Sequence, residues 1–224
     1  EISECLVGSE MCIRDRLFAG VSPDAFDAIP LIPFGRWFLP IGVFLLTVGY
    51  CAERNDKIWT LSWYRYGTVL NWWRNRFWKG VISGIQKAVL LLLIVFVCDL
   101  GFGRVSTLFI KENMKISVLW LFHIISFIAL FYLLDLVFDK RFILAALLLF
   151  EGVTFILGYR VKAISHAMYG MWGMYLQSNW YETGGFQAEM IIVTELLLLA
   201  AGYYAGQAYL KKSGMRRIFG KEGF

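Results

Sequence analysis

Three ionisable side chains interrupt long apolar runs of the sequence and are its best candidates for chemistry. Glu151 lies within LLLFEGVTF, Glu195 within IIVTELLLLAAG, and His123 within LWLFHIISF. Because charge inside a bilayer is costly, each must face protein or water, and each is suspected of function. The two glutamates fit a substrate path or relay, or else a structural hydrogen bond to a neighbouring helix. For His123 we expect a packing role with its hydrogen bonds satisfied.

The residue patterns of other chemistries do not occur in the sequence. Its two histidines, His123 and His166, lie in separate segments, which disfavours a histidine-bound metal site. Four cysteines without paired spacing favour neither a disulfide framework nor a zinc site. The sequence has no Gly-rich phosphate-binding loop followed by Lys and Ser or Thr, so the chain cannot be its own ATPase. We therefore predict a protein that is not an enzyme, with no catalytic residue, metal or cofactor.

The elements that carry these residues are apolar runs long enough to cross a membrane. Hydrophobic residues make up 58% of the 224 residues, and the mean hydropathy is +0.59. A membrane-spanning helix needs roughly 20 mainly apolar residues. We therefore predict an all-α, polytopic membrane helix bundle in one domain over residues 17–224. Five spans are expected, at about 37–52, 84–100, 116–138, 142–158 and 188–210.

The first sixteen residues, EISECLVGSEMCIRDR, differ from the rest. They have no hydrophobic period and no signal-peptide anatomy, and they resemble translated sequencing-adapter read-through. We interpret residues 1–16 as an artefactual leader. The foreign leader and the odd number of predicted spans both suggest that one helix has been lost. We therefore expect six spans in the intact protein.

Basic residues are unequally divided between the two sides of the predicted bundle. Segments 53–83, 139–141 and 211–224 hold thirteen Lys and Arg residues, whereas segments 17–36, 101–115 and 159–187 hold six. Because basic loops stay on the cytoplasmic side, we predict a cytoplasmic C-terminus. The net charge of +5 is spread over these loops, so we expect a bilayer and not nucleic acid as the partner.

An aromatic stripe marks the first of the cytoplasmic segments. Steps of four and three residues separate Trp59, Trp63, Tyr66, Leu70, Trp73 and Phe77. That spacing is typical of one helix face, and four cations lie largely off it, Arg65, Arg74, Arg76 and Lys79. We predict an amphipathic helix at about 59–80 that lies on the membrane surface. An interfacial anchor is the simpler interpretation, and a helix that contacts a partner is the alternative.

This segment resembles the coupling segment of type 2 permease subunits of ABC transporters, especially the small Firmicutes-type subunits associated with bacteriocin or lantibiotic export. Its residues Arg65, Gly67, Thr68, Leu70, Arg74 and Lys79 follow the order of that family's motif, although the motif's proline is absent. The resemblance covers this loop and the number and orientation of spans.

The resemblance implies a bacterial cytoplasmic-membrane exporter subunit that works as a homo- or heterodimer with a separate cytoplasmic ABC ATPase. The residues expected to bind the ATPase are Arg65, Tyr66, Gly67, Thr68, Trp73, Arg74 and Lys79. Two alternatives stay open. In the first, the chain is a non-transporting accessory or immunity-type membrane protein, and in the second it is an intramembrane enzyme that uses Glu151 or Glu195.

Two further patterns concern helix packing and the opposite side of the membrane. Gly202 and Gly206 form a small-xxx-small pattern, which predicts a close approach to another helix. The segment Tyr159–Gln187 is long for a connection and rich in Met, Tyr and Trp. It fits a re-entrant or surface-lying segment, or an ordinary interfacial aromatic belt.

Overall fold

The computed structural model of the chain describes residues 18–21, 31–101 and 107–213. Within these ranges, the side chains of residues 56–64, 99, 107–110, 162, 163 and 213 are outside the description. The suspected leader, residues 1–16, and the segment 214–224 also lie outside it.

The described residues form a bundle of α-helices without a named strand. The helices are α1 (Leu31–Tyr66), α2 (Val69–Gly101), α3 (Thr107–Leu134), α4 (Lys140–Arg160), α5 (Tyr169–Trp172) and α6 (Ala188–Ser213). Two 3₁₀ turns, Lys162–Ala167 and Tyr175–Gln177, flank α5 in the connection between α4 and α6. The all-α prediction is therefore confirmed.

Five of these helices are long and apolar enough to span a membrane, as predicted. The candidate spans are Leu31–Asn55, Val69–Cys98, Lys111–Leu134, Lys140–Arg160 and Ala188–Lys212. The first helix begins six residues earlier than expected, and Pro40 lies inside it. The third helix ends at Leu134 and not near 138, because the chain turns there to enter α4.

Helix α3 occupies the centre of the bundle. In its most apolar window 61% of the residues are buried, against 22% to 39% in the other four spans. The outer helices instead expose aliphatic side chains, such as Leu93 and Val97 on α2, Leu149 on α4 and Leu197 on α6. An apolar exterior around a polar-containing interior is the arrangement expected of a bundle in lipid.

A tight turn at Gly67 and Thr68 joins α1 and α2, so the predicted single helix at 59–80 is wrong. Gly67 has φ of 67°, a left-handed conformation that ends a helix and that glycine adopts without a steric penalty. The Thr68 hydroxyl then accepts a hydrogen bond from the Asn71 amide at 3.2 Å, which caps the start of α2. The segment is a helical hairpin, and not one helix lying flat on the membrane.

The aromatic residues on the α2 side of the stripe pack against α6 and not against lipid. Trp73 and Phe77 are fully buried, and the Trp73 indole N–H donates a hydrogen bond to the Tyr203 carbonyl at 3.0 Å. The Phe77 and Tyr203 rings lie 5.5 Å apart. The side chains of Trp59 and Trp63 lie outside the described residues. The stripe is thus a helix-packing face over its second half.

Small residues on α6 permit this approach, as the small-xxx-small pattern predicted. A side chain at Gly206 would clash with the Trp73 ring. Gly202 faces α3, where an added Cβ would lie 3.5 Å from the Ala129 carbonyl oxygen. The two glycines therefore hold α6 against two helices at once.

Candidate functional site

The three ionisable residues singled out in the sequence meet at the centre of the bundle. His123 of α3 lies between the two carboxyl groups, with Nδ1 3.0 Å from Glu195 Oε1 and Nε2 3.3 Å from Glu151 Oε1. The side chains of His123 and Glu151 are completely buried, and that of Glu195 is 1% exposed. We call His123, Glu151 and Glu195 the Glu–His–Glu cluster.

The cluster adds to the expectation for His123 and sharpens that for the glutamates. His123 is buried with both ring nitrogens hydrogen-bonded, and it also links two carboxyl groups on two other helices. Both of its ring nitrogens are engaged, so neither has a lone pair available to a metal ion in this arrangement. Among the described residues, no group of three or more His, Cys, Asp or Glu side chains is arranged to hold a metal ion.

Helix α1 adds a neutral donor to the cluster. The buried Trp37 indole N–H donates to Glu151 Oε1 at 3.3 Å, so that oxygen is within reach of two nitrogens. The second oxygens, Glu151 Oε2 and Glu195 Oε2, are buried and have no hydrogen-bond partner among the described residues. Such orphaned buried oxygens require an explanation.

The connection between α4 and α6 packs directly on the cluster. The Tyr169 ring lies 4.7 Å from the His123 imidazole, and its hydroxyl is hydrogen-bonded to the Ser126 hydroxyl at 2.5 Å. Ser126 in turn donates to the His123 carbonyl at 2.8 Å. Burial, together with the nearby Glu195 carboxyl, raises the pKa of the Tyr169 phenol well above its ordinary value. Tyr169 is therefore a neutral hydrogen-bonding group.

Two glycines of the connection make this close contact possible. A Cβ at Gly170 would lie 2.6 Å from the Glu151 carbonyl oxygen, and one at Gly173 would lie 2.8 Å from the His123 ring. The Gly170 amide also donates to the Thr154 hydroxyl at 3.0 Å. The segment Tyr169–Gly173 thus covers the cluster as an ordered, closely packed element. Neither the re-entrant nor the belt interpretation anticipated this contact.

Sequence reasoning missed the residues that complete the site. Trp37, Ser126 and Tyr169 were not candidates, because each is of a residue type that is common in apolar or interfacial segments. A weak signal was present for Tyr169. It lies in the AMYGMWGMY stretch, where two glycines among large side chains indicate close approach of the backbone to another element.

The residues expected to bind a partner do not all lie near the turn of the hairpin. Arg65, Gly67, Thr68, Arg74 and Lys79 are exposed, and Tyr66 is partly buried. Lys79 Nζ donates to the Tyr66 hydroxyl at 3.5 Å across the hairpin. Trp73 is fully buried against α6, so the prediction that it binds a partner is wrong. We call Arg65, Gly67, Thr68 and Arg74 the hairpin tip.

Below the tip, ion pairs attach α2 to the turn between α3 and α4. Arg76 pairs with Asp135, and Lys140 lies 3.8 Å from the same carboxyl group. The Arg76 guanidinium also stacks over the Trp72 ring at 5.0 Å. Arg76, which the sequence placed among the cations off the stripe, is thus engaged within the chain. The base of the hairpin is therefore joined both to this turn and to α6.

A cavity of about 290 Å³ lies beside the hairpin base, between α1, α2 and α3. Its lining includes Lys79, Ser83 and Lys87, which succeed one another at one helical turn on α2, and Tyr132 of α3. Lys87 Nζ donates to the Ser83 hydroxyl at 2.8 Å. The long Lys87 side chain thus extends toward the hairpin end of its helix, as cations within spans commonly do.

The chain matches no protein-family model, no curated protein and no solved structure.

Proposed function

We propose that the chain is the membrane-embedded subunit of an exporter that a separate cytoplasmic ATPase drives by docking on the hairpin tip. The observation that carries the proposal is the hairpin itself, which presents cations at its turn and is fixed at its base to the rest of the bundle. The order of Arg65, Gly67, Thr68, Leu70, Arg74 and Lys79, which resembles that of type 2 permease subunits, supports the same conclusion.

The hairpin is long enough to reach beyond a bilayer. Helix α1 has 36 residues and α2 has 33, which correspond to about 50 Å each at the usual helical rise. The hydrocarbon core is only about 30 Å thick. The apolar residues lie toward the ends of α1 and α2 away from Gly67. The tip can therefore contact a partner outside the bilayer, and a displacement of the tip would be carried into the membrane by the two long helices.

The hairpin base provides a route from the tip to the cluster. Trp73 is hydrogen-bonded to Tyr203 and packed on Gly206, so force on α2 is passed to α6. Glu195 lies eight residues before Tyr203 on the same helix, about 12 Å along its axis. Because Glu195 is bonded to His123, a shift of α6 changes the Glu–His–Glu cluster.

The proposal includes an orientation. Alternation of five spans puts the hairpin tip, the α3–α4 turn and the C-terminus on one side, and the Tyr169–Gly173 cover on the other. The tip side carries thirteen of the nineteen loop Lys and Arg residues counted above, which supports a cytoplasmic tip in a bacterial cytoplasmic membrane. The exported molecule and the pairing of permease subunits are not specified by these features.

The test is co-purification of ATP hydrolysis with the tagged chain from native membranes in mild detergent. We expect the eluate to hydrolyse ATP, and we expect the double substitution Arg65→Glu with Arg74→Glu to reduce that activity at least tenfold, because it reverses charge at the docking site. A matched control reverses two exposed cations on the opposite side, Lys111→Glu with Arg160→Glu, and should retain the activity.

An eluate without ATP hydrolysis from the unaltered chain would contradict the proposal and favour an accessory membrane protein. Equal loss in the docking and control variants would place the effect in general charge and not in the tip. Because the substituted residues are exposed, all three chains should give the same elution volume in gel filtration once any co-purified ATPase has been removed.

A further inference from the structure

The contacts of the Glu–His–Glu cluster fix a minimum number of protons. Each of the two His123–Glu contacts needs one proton between nitrogen and oxygen, since a bare carboxylate only accepts. With two protons, the cluster is either an imidazolium with two carboxylates or a neutral imidazole with one carboxylic acid and one carboxylate. Both distributions carry a net charge of −1.

No cation in the described part of the bundle compensates this charge. The buried polar and charged residues are Asn113, His123, Ser126, Glu151, Gln177, Ser178 and Glu195, with no Lys or Arg among them. Within the described ranges, the polar groups around the cluster are Trp37 from α1, Ser126 from α3 and Tyr169 from the connection, all of them neutral. An unpaired charge in such surroundings is strongly disfavoured. Judged on the described residues, the buried cluster therefore lacks one positive charge.

We propose that the Glu–His–Glu cluster is a proton-binding site that holds a third, exchangeable proton on one of the two orphaned oxygens. Glu151 Oε2 and Glu195 Oε2 have no partner among the described residues and are the positions available for it. Protonation of either oxygen makes the cluster neutral without any change in the two existing hydrogen bonds. The inference goes beyond the proposed function, because it depends on no partner.

The ligand is a proton and not a metal ion. Both imidazole nitrogens are already engaged, and Trp37, Phe127 and Tyr169 pack around the ring with centroid distances of 4.7 to 6.1 Å. Hard cations such as Ca²⁺ and Mg²⁺ need about six oxygen ligands. A proton needs only one oxygen lone pair and no additional space.

The Tyr169–Gly173 segment controls when this proton can exchange. It covers the cluster on the side opposite the hairpin tip, with Gly173 packed on the imidazole ring. Water that reaches the cluster stabilises its charged form, so displacement of the cover favours release of the third proton. The occupancy of the site thus follows the position of the cover.

Infrared spectroscopy of the full chain in lipid nanodiscs at pH 7 tests the proton count. An exposed glutamate is ionised at this pH, so the carbonyl band of a protonated carboxyl group reports buried acids. We expect this band in the unaltered protein. Glu151→Gln and Glu195→Gln should each lower the number of protonated carboxyl groups by one per chain, because a neutral amide removes the need for the third proton. Glu189→Gln, an exposed position on the same α6 helix, should leave the band unchanged.

Nitrogen NMR of ¹⁵N-histidine in the same samples completes the count, with His166→Gln used to identify the His123 signals. His123 should have the same protonation in the unaltered protein and in both single Gln variants. The unaltered cluster should then hold three protons, as an imidazolium with one protonated carboxyl group or as a neutral imidazole with two. Absence of the infrared band in the unaltered protein, or a neutral His123 with a single protonated carboxyl group, would overturn the proposal.

A third variant tests the cover. Gly173→Ala puts a methyl group against the imidazole and should displace the segment, so that the carboxyl band decreases and the His123 ring N–H exchanges with D₂O at least tenfold faster. The control is Gly152→Ala, beside Glu151 on α4, where an added Cβ meets nothing within 4 Å. Unchanged exchange in Gly173→Ala would contradict control by the cover.

Discussion

The hairpin tip and the Glu–His–Glu cluster place charge in opposite surroundings. At the tip, Arg65 and Arg74 are exposed, so water stabilises their charges and the fold does not depend on them. In the cluster, three ionisable groups are buried together, and each is tolerated only because the others are present. Charge at the tip is therefore available for binding, whereas charge in the core depends on the hydrogen-bonded partners within the cluster and on the protons that they hold.

Removal of the central histidine should have the largest effect on stability. His123→Leu leaves two buried carboxyl groups without their shared partner, and we expect a loss of about 3 to 5 kcal/mol in the free energy of unfolding. Reversible unfolding in mixed detergent micelles measures it. His166→Leu, at an exposed position, is the matched control and should change stability by no more than about 0.5 kcal/mol. Similar values for the two variants would contradict the contrast between core and surface.

The contact between α2 and α6, where Trp73 packs on Gly206, should be the next most sensitive to substitution. Gly206→Ala forces a methyl group against Trp73, and overpacking of this kind costs roughly 1 to 3 kcal/mol. Gly35→Ala on α1, where no atom lies within 4 Å of the added Cβ, should be neutral or stabilising by up to about 1 kcal/mol. A stability gain at both positions would mean that α6 does not lie against Trp73.

The Trp73 hydrogen bond should contribute less than the packing of its ring. Trp73→Phe keeps an aromatic ring but leaves the Tyr203 carbonyl without the indole donor, for an expected loss of about 1 kcal/mol. Thermal unfolding compares it with Trp78→Phe, a partly exposed tryptophan on the same helix. If Trp78→Phe destabilised the protein as much, the hydrogen bond from Trp73 to Tyr203 would have no particular role in the contact between α2 and α6.

The tip should show the smallest effect on stability. Arg65→Glu with Arg74→Glu should alter the free energy of unfolding by only about 0.5 kcal/mol, as expected for exposed positions without a buried partner. The same unfolding measurement checks this value. A loss comparable to that of His123→Leu would show that the tip is part of the folded core and not a free docking surface.

The sequence predicted the helical architecture because span formation depends on local composition. Runs of about 20 apolar residues identify membrane helices wherever they pack, and all five predicted spans overlap the candidate spans of the structure. The ends were less predictable, since they depend on single residues. Gly67 and Thr68 were placed within a single helix, whereas the left-handed backbone of Gly67 ends one helix and the capping hydroxyl of Thr68 begins the next.

The candidate site was only partly predictable for a related reason. The cost of burying charge identified Glu151, Glu195 and His123 one at a time, but no local pattern links residues 28 and 72 positions apart from the histidine. Their meeting depends on how α3, α4 and α6 pack. Trp73 was misassigned because an aromatic stripe has the same spacing whether it faces lipid or another helix.

Cysteine labelling in whole cells tests the central claim that the tip is cytoplasmic and the cover lies on the opposite side. The four native cysteines are replaced by serine, and Thr68→Cys or Tyr181→Cys is introduced, since both positions are exposed. We expect a membrane-impermeant maleimide to label Tyr181→Cys in intact cells and Thr68→Cys only after permeabilisation. Labelling of Thr68→Cys in intact cells would contradict the account.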